Sequence, residues 1–272
     1  MKKSINIGFF GNDVPLDTVF SKLAALGFKG AELNMTDTQH TYPNLYNGVS
    51  DEETAAVGEL LKKHSLECVG IVTDQLWTYH LTSDDAKIRN EAIDRIKKMI
   101  HIANVLGASS VLVVPGIINE NVTYKNAYAN AIESLKILAP IAEKAGVKLG
   151  IEDVWNKFLL SPYEMAGFID KVGSTFVGAY FDVGNVVINS YPEYWIEILA
   201  NRITRIHVKG FNNKNNTFCY LHEGTINWDK VIAELKKINY NGFITAELWP
   251  RPDGNIDADL KQISDDIDKI LK

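Results

Sequence analysis

The chain is poor in cysteine. It has two in 272 residues, Cys68 and Cys219, far apart and in no CxxC pair. That excludes a disulfide framework and a thiolate zinc site. Basic residues are not in excess: 28 Lys and Arg face 34 Asp and Glu, a formal charge of −6, which argues against a nucleic-acid surface. Long apolar runs are missing too. The N-terminal stretch Ile5 to Phe10 is broken by Asn6 and falls short of the roughly 7–15 residues of a signal-peptide core. No run approaches the ~18 residues of a membrane helix. The expected location is therefore the cytoplasm, with neither membrane nor nucleic acid as partner. Also absent is a linker rich in Pro, Gly or Ser, so one domain over residues 1–272 is expected. An apolar fraction of 46% and a charged fraction of 23% are ordinary for a globular chain.

What is present is alternation. Short apolar runs read as strands at Ile5–Phe10, Gly30–Met35, Cys68–Thr73, Ser110–Pro115, Leu149–Val154, Val177–Val183, Arg205–Lys209 and Phe243–Leu248. Most are apolar almost throughout, as parallel strands covered on both faces require. Helical periods separate them: Asp17–Leu26, Asp51–His64, Asp84–Leu106, Tyr124–Ala145, Pro162 to Lys171, Pro192–Ala200, Trp228–Ile238 and Ile256–Leu271. Ser50 before Asp51-Glu52-Glu53, and Ser161 before Pro162, are helix-start signals. Eight strands alternating with eight helices predict an α/β fold, a single-domain (β/α)₈ TIM barrel. The first strand-to-helix turn, Phe10-Gly11-Asn12-Asp13-Val14-Pro15, has no GxGxxG, which disfavours a dinucleotide-binding sheet.

Barrel chemistry sits at the C-terminal ends of the strands. Four consecutive runs end in residues of one kind: Glu152, Asp182, His207 and Glu247. Three carboxylates and an imidazole gathered in a low-dielectric cup demand a counter-charge. The oxygen-rich set suits a divalent cation, Mn²⁺ or Mg²⁺ before a structural Zn²⁺, with Co²⁺ also accommodated.

These stretches resemble the xylose-isomerase-like superfamily of sugar isomerases and epimerases. The likeness lies in Gly150-Ile151-Glu152, Tyr180-Phe181-Asp182-Val183-Gly184-Asn185, Arg205-Ile206-His207-Val208-Lys209 and Gly242-Phe243-Ile244-Thr245-Ala246-Glu247-Leu248, and spans nearly the whole chain. It implies that Glu152, Asp182, His207 and Glu247 are metal ligands. It further implies that Glu152 and Glu247 are the catalytic acid–base pair, exchanging a proton beside a carbonyl polarised by the cation. The implied substrate is a sugar or sugar phosphate, and the implied assembly a homo-dimer or tetramer.

Departures bear on the substrate. Tagatose-type 3-epimerases carry a second acid where Leu159 stands, a His where Asn185 stands, and an Arg in the region Gly210-Phe211-Asn212-Asn213. The Asp182-Val183-Gly184-Asn185 form is similar to the L-ribulose- or L-xylulose-5-phosphate 3-epimerase branch, although the Asp usual there after the Lys is Gly210 here. Candidate substrate contacts are Asn185, Lys209 and His222. Lys209 either meets substrate oxygens or a phosphate, or pairs with a neighbouring carboxylate. Glu32, at the end of the second strand, reads as hydrogen-bonding support, and Asp153 as structural. Trp77, Trp155 and Trp249 are candidate aromatic walls or rim packing. A metal-dependent dehydratase of a keto-inositol or dehydroshikimate type and a free-ketose 3-epimerase are the alternative activities. An endonuclease IV-type site would need more histidines than the six present.

Overall fold

Eight short parallel strands pair edge to edge until the last meets the first. They are β1 (Lys2–Asn6), β2 (Gly30–Thr36), β3 (Glu67–Val72), β4 (Ser110–Val113), β5 (Lys148–Glu152), β6 (Val177–Asp182), β7 (Ile203–Val208) and β8 (Phe243–Ala246). Each pairs with its sequence neighbours, and β8 closes on β1 through Lys2↔Phe243 to Ile5↔Ala246. The computed structural model describes residues 1–41, 43–252 and 254–272. Helices α1 (Leu16–Ala25), α2 (Asp51–Lys63), α3 (Ala86–Leu106), α4 (Tyr124–Ala145), α5 (Pro162–Val172), α6 (Pro192–Leu199), α7 (Trp228–Lys237) and α8 (Ile256–Ile270) follow the strands in turn. This is the (β/α)₈ barrel that the alternation predicts.

The helix ends follow local chemistry. Ser50 and Glu53 close a reciprocal capping box on α2. Helices α3, α4 and α5 stop at Gly107, Gly146 and Gly173, each at a positive φ near 70–80° that glycine adopts without strain. Strands and helices bury one continuous apolar core, with Phe20, Phe168, Phe181 and Tyr180 almost without exposure. Arg205 closes the N-terminal end of the barrel: its guanidinium donates to the carbonyls of Val69 and Thr204 and to Ser109 Oγ. Among the described residues no helix is long and apolar enough to cross a membrane.

The first strand differs from expectation. It runs Lys2–Asn6, and Ile7–Phe10 forms a single 3₁₀ turn capped by Asn6, whose side chain accepts from Gly8 N. Lys3 hides its charge in the strand by donating to Ser264 Oγ (2.8 Å) and Asp268 Oδ2 (2.7 Å) on α8. The apolar run from Ile5 therefore marks the strand's exit rather than its body. A second difference is an antiparallel hairpin after β7, Gly210–Asn212 with Thr217–Cys219. Its turn places Asn216 at φ 56°, and neither of its strands is among those the apolar runs predict.

Candidate metal centre

Glu152 and Asp182 are the last residues of β5 and β6, and His207 is the penultimate residue of β7. Glu247 lies one residue past β8, held in register by its N–H donating to Val208 O at 3.1 Å. Asp182 and His207 face each other across the ladder. One ligand atom from each of the four lies within 4.8 Å of every other. His207 Nδ1 is 3.4 Å from Glu152 Oε1, 3.6 Å from Glu247 Oε2 and 3.9 Å from Asp182 Oδ2. Glu152, Asp182 and His207 are buried, and Glu247 is partly open.

Neighbouring groups aim these atoms. Asp182 Oδ1 accepts from Gly184 N (2.7 Å) and Asn185 N (2.9 Å), which turns Oδ2 into the cluster. Asp153 leaves the cluster, accepting from Asp182 N at 2.9 Å. Glu32, fully buried on β2, accepts from His207 Nε2 at 2.8 Å, from the Tyr180 hydroxyl and from Asn6 Nδ2 at 2.7 Å. A donor bond at Nε2 leaves Nδ1 as the nitrogen facing the three carboxylates.

That orientation tests whether the residues fit a cation. His207 Nδ1 and Asp182 Oδ2 are buried and make no aligned hydrogen bond; Lys209 Nζ lies 3.0 Å from Oδ2 as an ion pair only. Two orphaned buried atoms, one nitrogen and one oxygen, converge on a point that Glu152 and Glu247 also face, and the set of three carboxylates and one imidazole matches a divalent-cation site.

The electrostatics separate the two glutamates. Burial, then the charge of Glu247, pushes the Glu152 carboxyl up to about 7. Burial would raise Glu247 too, but Lys209 and His207 outweigh it and hold that carboxyl below its ordinary value. Burial, only partly offset by Lys209, raises Asp182. His207 is held well above the usual imidazole range, because Glu32 and Glu247 overcome the effect of burial.

Lys209 goes to the carboxylates. Its ammonium sits 2.5 Å from Glu247 Oε2 and 3.0 Å from Asp182 Oδ2, between the rings of Phe218 and Trp249. The hairpin missed in the sequence supplies Phe218, on which Trp155 stacks at 4.8 Å. Of the two roles open for Lys209, the structure displays the ion pair.

A cavity of about 280 Å³ opens in front of Glu152 and Glu247. Its wall comprises Asn6, Asn34, Thr73 and Asp74 among polar residues, Phe9, Met35 and Val114 among apolar ones, and Trp77 and Trp249, both exposed at the mouth. Asn185 and His222 do not line it. Asn185 braces the Asp182 turn, donating from Nδ2 to Asp153 O at 2.7 Å, and His222 is exposed in the loop before α7. Sequence reading overlooked Asn6, Asn34 and Thr73. The available signal was their place at or near the ends of the first three strands.

The family model for xylose isomerase-like TIM barrels matches residues 20–270. The chain belongs to that family. A Bacillus velezensis protein named inosose isomerase is 25% identical over 216 residues, 72% of this chain and 75% of its own length. A Haemophilus influenzae protein with a provisional name of L-ribulose-5-phosphate 3-epimerase is 20% identical over 92% of this chain and 90% of its own. Against two uncharacterised Methanocaldococcus jannaschii proteins, at 27% and 26% identity, the chain spans 59% and 67% of their lengths. A crystal structure of IolI protein with a bound zinc atom superposes with a TM-score of 0.83 at 18% identity, covering 100% of this chain and 98% of that one. At such identity the likeness concerns the fold.

Proposed function

We propose that this protein is a divalent-metal-dependent sugar isomerase or epimerase that moves a proton at the carbon beside the carbonyl of a ketose or cyclic keto-polyol. The observation that carries the reading is the pair Glu152 and Glu247. Both face one cavity, both belong to the four-residue cluster, and their titrations are pushed apart. Two carboxyl groups separated in this way supply an acid and a base from the same residue type. Glu247, ionised, is suited to take a proton from carbon. Glu152, the more readily protonated of the two carboxyls, is suited to return one. Return to the same carbon from the other face inverts it, the 3-epimerisation we favour; return to its neighbour relocates the carbonyl.

Glu152, Asp182, His207 and Glu247 would hold the cation, which when bound supplies Lewis-acid polarisation of a carbonyl. The oxygen-rich donor set favours Mn²⁺, with Mg²⁺, Co²⁺ and Zn²⁺ as competitors; the zinc in the IolI structure makes Zn²⁺ the one to compare first. Lys209 keeps Glu247 ionised and fixes its carboxylate, and Trp77 and Trp249 offer faces for the apolar side of a sugar. The names of the inosose isomerase and epimerase relatives support the same chemistry.

The test is hydrogen exchange in D₂O, followed by NMR over a panel of ketoses and keto-polyols with Mn²⁺-loaded protein. Exchange at one α-carbon is expected. EDTA should stop it and added Mn²⁺ restore it. Glu152→Gln and Glu247→Gln should each slow it by about 10²–10⁴-fold. A Glu152→Gln protein that exchanged at the full rate would refute the assignment.

A further inference from the structure

The cavity before Glu152 and Glu247 contains no basic side chain. All 28 Lys and Arg residues are among the described ones, and none lines it. Its charged residues are Glu152, Glu247 and Asp74, acids without exception. Other cations on the β3 and β8 sides of the barrel are committed elsewhere. Arg95 donates to Gln75 Oε1 and Glu91 and stacks 3.8 Å over Tyr79. Arg251 is held by Asp259 and Glu223 and stacks on Tyr220. Lys209 is locked between Asp182 and Glu247.

Three backbone donors beside the cluster are also occupied. Gly184 N and Asn185 N are taken by Asp182 Oδ1, and Gly8 N by Asn6 Oδ1 at 2.8 Å. Nor does a cation in the cluster leave surplus charge: the carboxylates of Glu152, Asp182 and Glu247 are balanced by Lys209 and one divalent ion.

What the wall offers is neutral polarity. Asn34 Oδ1 is buried and accepts no hydrogen bond within the chain. Its amide has room only because residue 8 is glycine; a Cβ there would come within 2.7 Å of Asn34 Nδ2. An amide presents both donor and acceptor, the pattern a hydroxyl matches. A phosphate ester brings roughly −1.5 to −2 charges and is normally met by Arg, Lys or free backbone N–H groups.

We infer that the site takes an uncharged polyhydroxy ketone, open-chain or cyclic, reads its hydroxyls through Asn34, and rejects the corresponding phosphate esters. This rests on the isomerase reading above and narrows its substrate. The test separates binding from turnover. The Mn²⁺-loaded full-length protein is titrated calorimetrically with xylitol and with xylitol 5-phosphate, neither of which has a carbonyl to react. Xylitol should bind at least about tenfold more tightly. Asn34→Ala should weaken it by about tenfold, the scale of one hydrogen bond, with Mn²⁺ affinity unchanged. A phosphate that binds as tightly as the polyol, or binding of neither, overturns the inference. Failure of the isomerase reading looks different: the polyol preference persists and no ketone exchanges its α-proton in D₂O.

Discussion

Glu32 and His207 lie 175 residues apart in sequence, yet a buried carboxylate oxygen of one sits 2.8 Å from Nε2 of the other. The contact fixes which imidazole nitrogen faces the cluster. Glu32 is itself fixed by Tyr180 and Asn6. Burial would raise its carboxyl, but the charge and hydrogen bond of His207 hold it below its ordinary value, so it stays an acceptor. Glu32→Gln retains shape and loses charge. We expect Mn²⁺ affinity to fall by about 10–100-fold, the usual effect of altering a histidine's outer partner, with the circular dichroism of the fold preserved. Calorimetric titration of Mn²⁺ checks this, and an unchanged affinity would remove Glu32 from the metal site.

The Tyr180 ring crosses the barrel interior to reach Glu32, and two glycines make way for it. A Cβ on Gly150 would meet Tyr180 Cδ2 at 2.5 Å, and one on Gly70 would meet its hydroxyl at 2.9 Å. Gly150→Ala adds a methyl to a packed core with no free direction, and such overpacking costs typically about 1–3 kcal/mol. Thermal unfolding should register that loss. Mn²⁺ affinity should fall with it, because the displaced ring carries Glu32 along. A variant as stable as the parent would mean that the ring has a second place to go.

These relations explain what the sequence could and could not disclose. Glu152, Asp182, His207 and Glu247 could be picked out as a cluster because each lies at or next to the end of an apolar strand, on four successive strands. Glu32 was legible as a polar support, but its partners were not: Tyr180 sits inside a fully buried strand and looks like packing. Asn6 was hidden by reading the first strand as starting where it nearly ends. The roles given to Asn185 and His222 came from position relative to the ligands, and position along a loop does not decide which way a side chain turns. Lys209 shows the same limit, since a lysine two residues after a ligand can reach substrate or carboxylate, and only the packing of Phe218 and Trp249 around it displays the choice.

Lys209 offers the third test. Its ammonium is buried and shares oxygens with two of the four cluster residues. Lys209→Met removes one member of a buried ion-pair network and leaves carboxylates unpaired, which commonly costs about 3–5 kcal/mol. In EDTA the variant should unfold at a lower temperature than the parent. A saturating divalent cation neutralises the same oxygens, so the rise in Tm on adding Mn²⁺ should be larger in the variant. An equal or smaller rise would show that Lys209 and the cation do not act on common carboxylates.

Cation binding should depend on pH through two protons. Glu152 holds one up to about 7, because of burial and then the charge of Glu247. His207 holds another above the ordinary imidazole range, because Glu32 and Glu247 outweigh burial. A cation must displace both, so affinity rises with pH. The slope should approach a hundredfold per unit below about pH 7, where both protons leave, and relax to about tenfold per unit above it, where only the imidazole proton remains. For folding without a cation the sign reverses. The Glu152 pKa is raised from 4.5 in the folded chain, so its contribution to stability is full below about 4.5 and is lost as pH rises through about 7. Calorimetric Mn²⁺ titrations from about pH 5.5 to about pH 8, with melting curves in EDTA over the same range, test both signs. A flat plot of affinity against pH would place the cation away from Glu152 and His207.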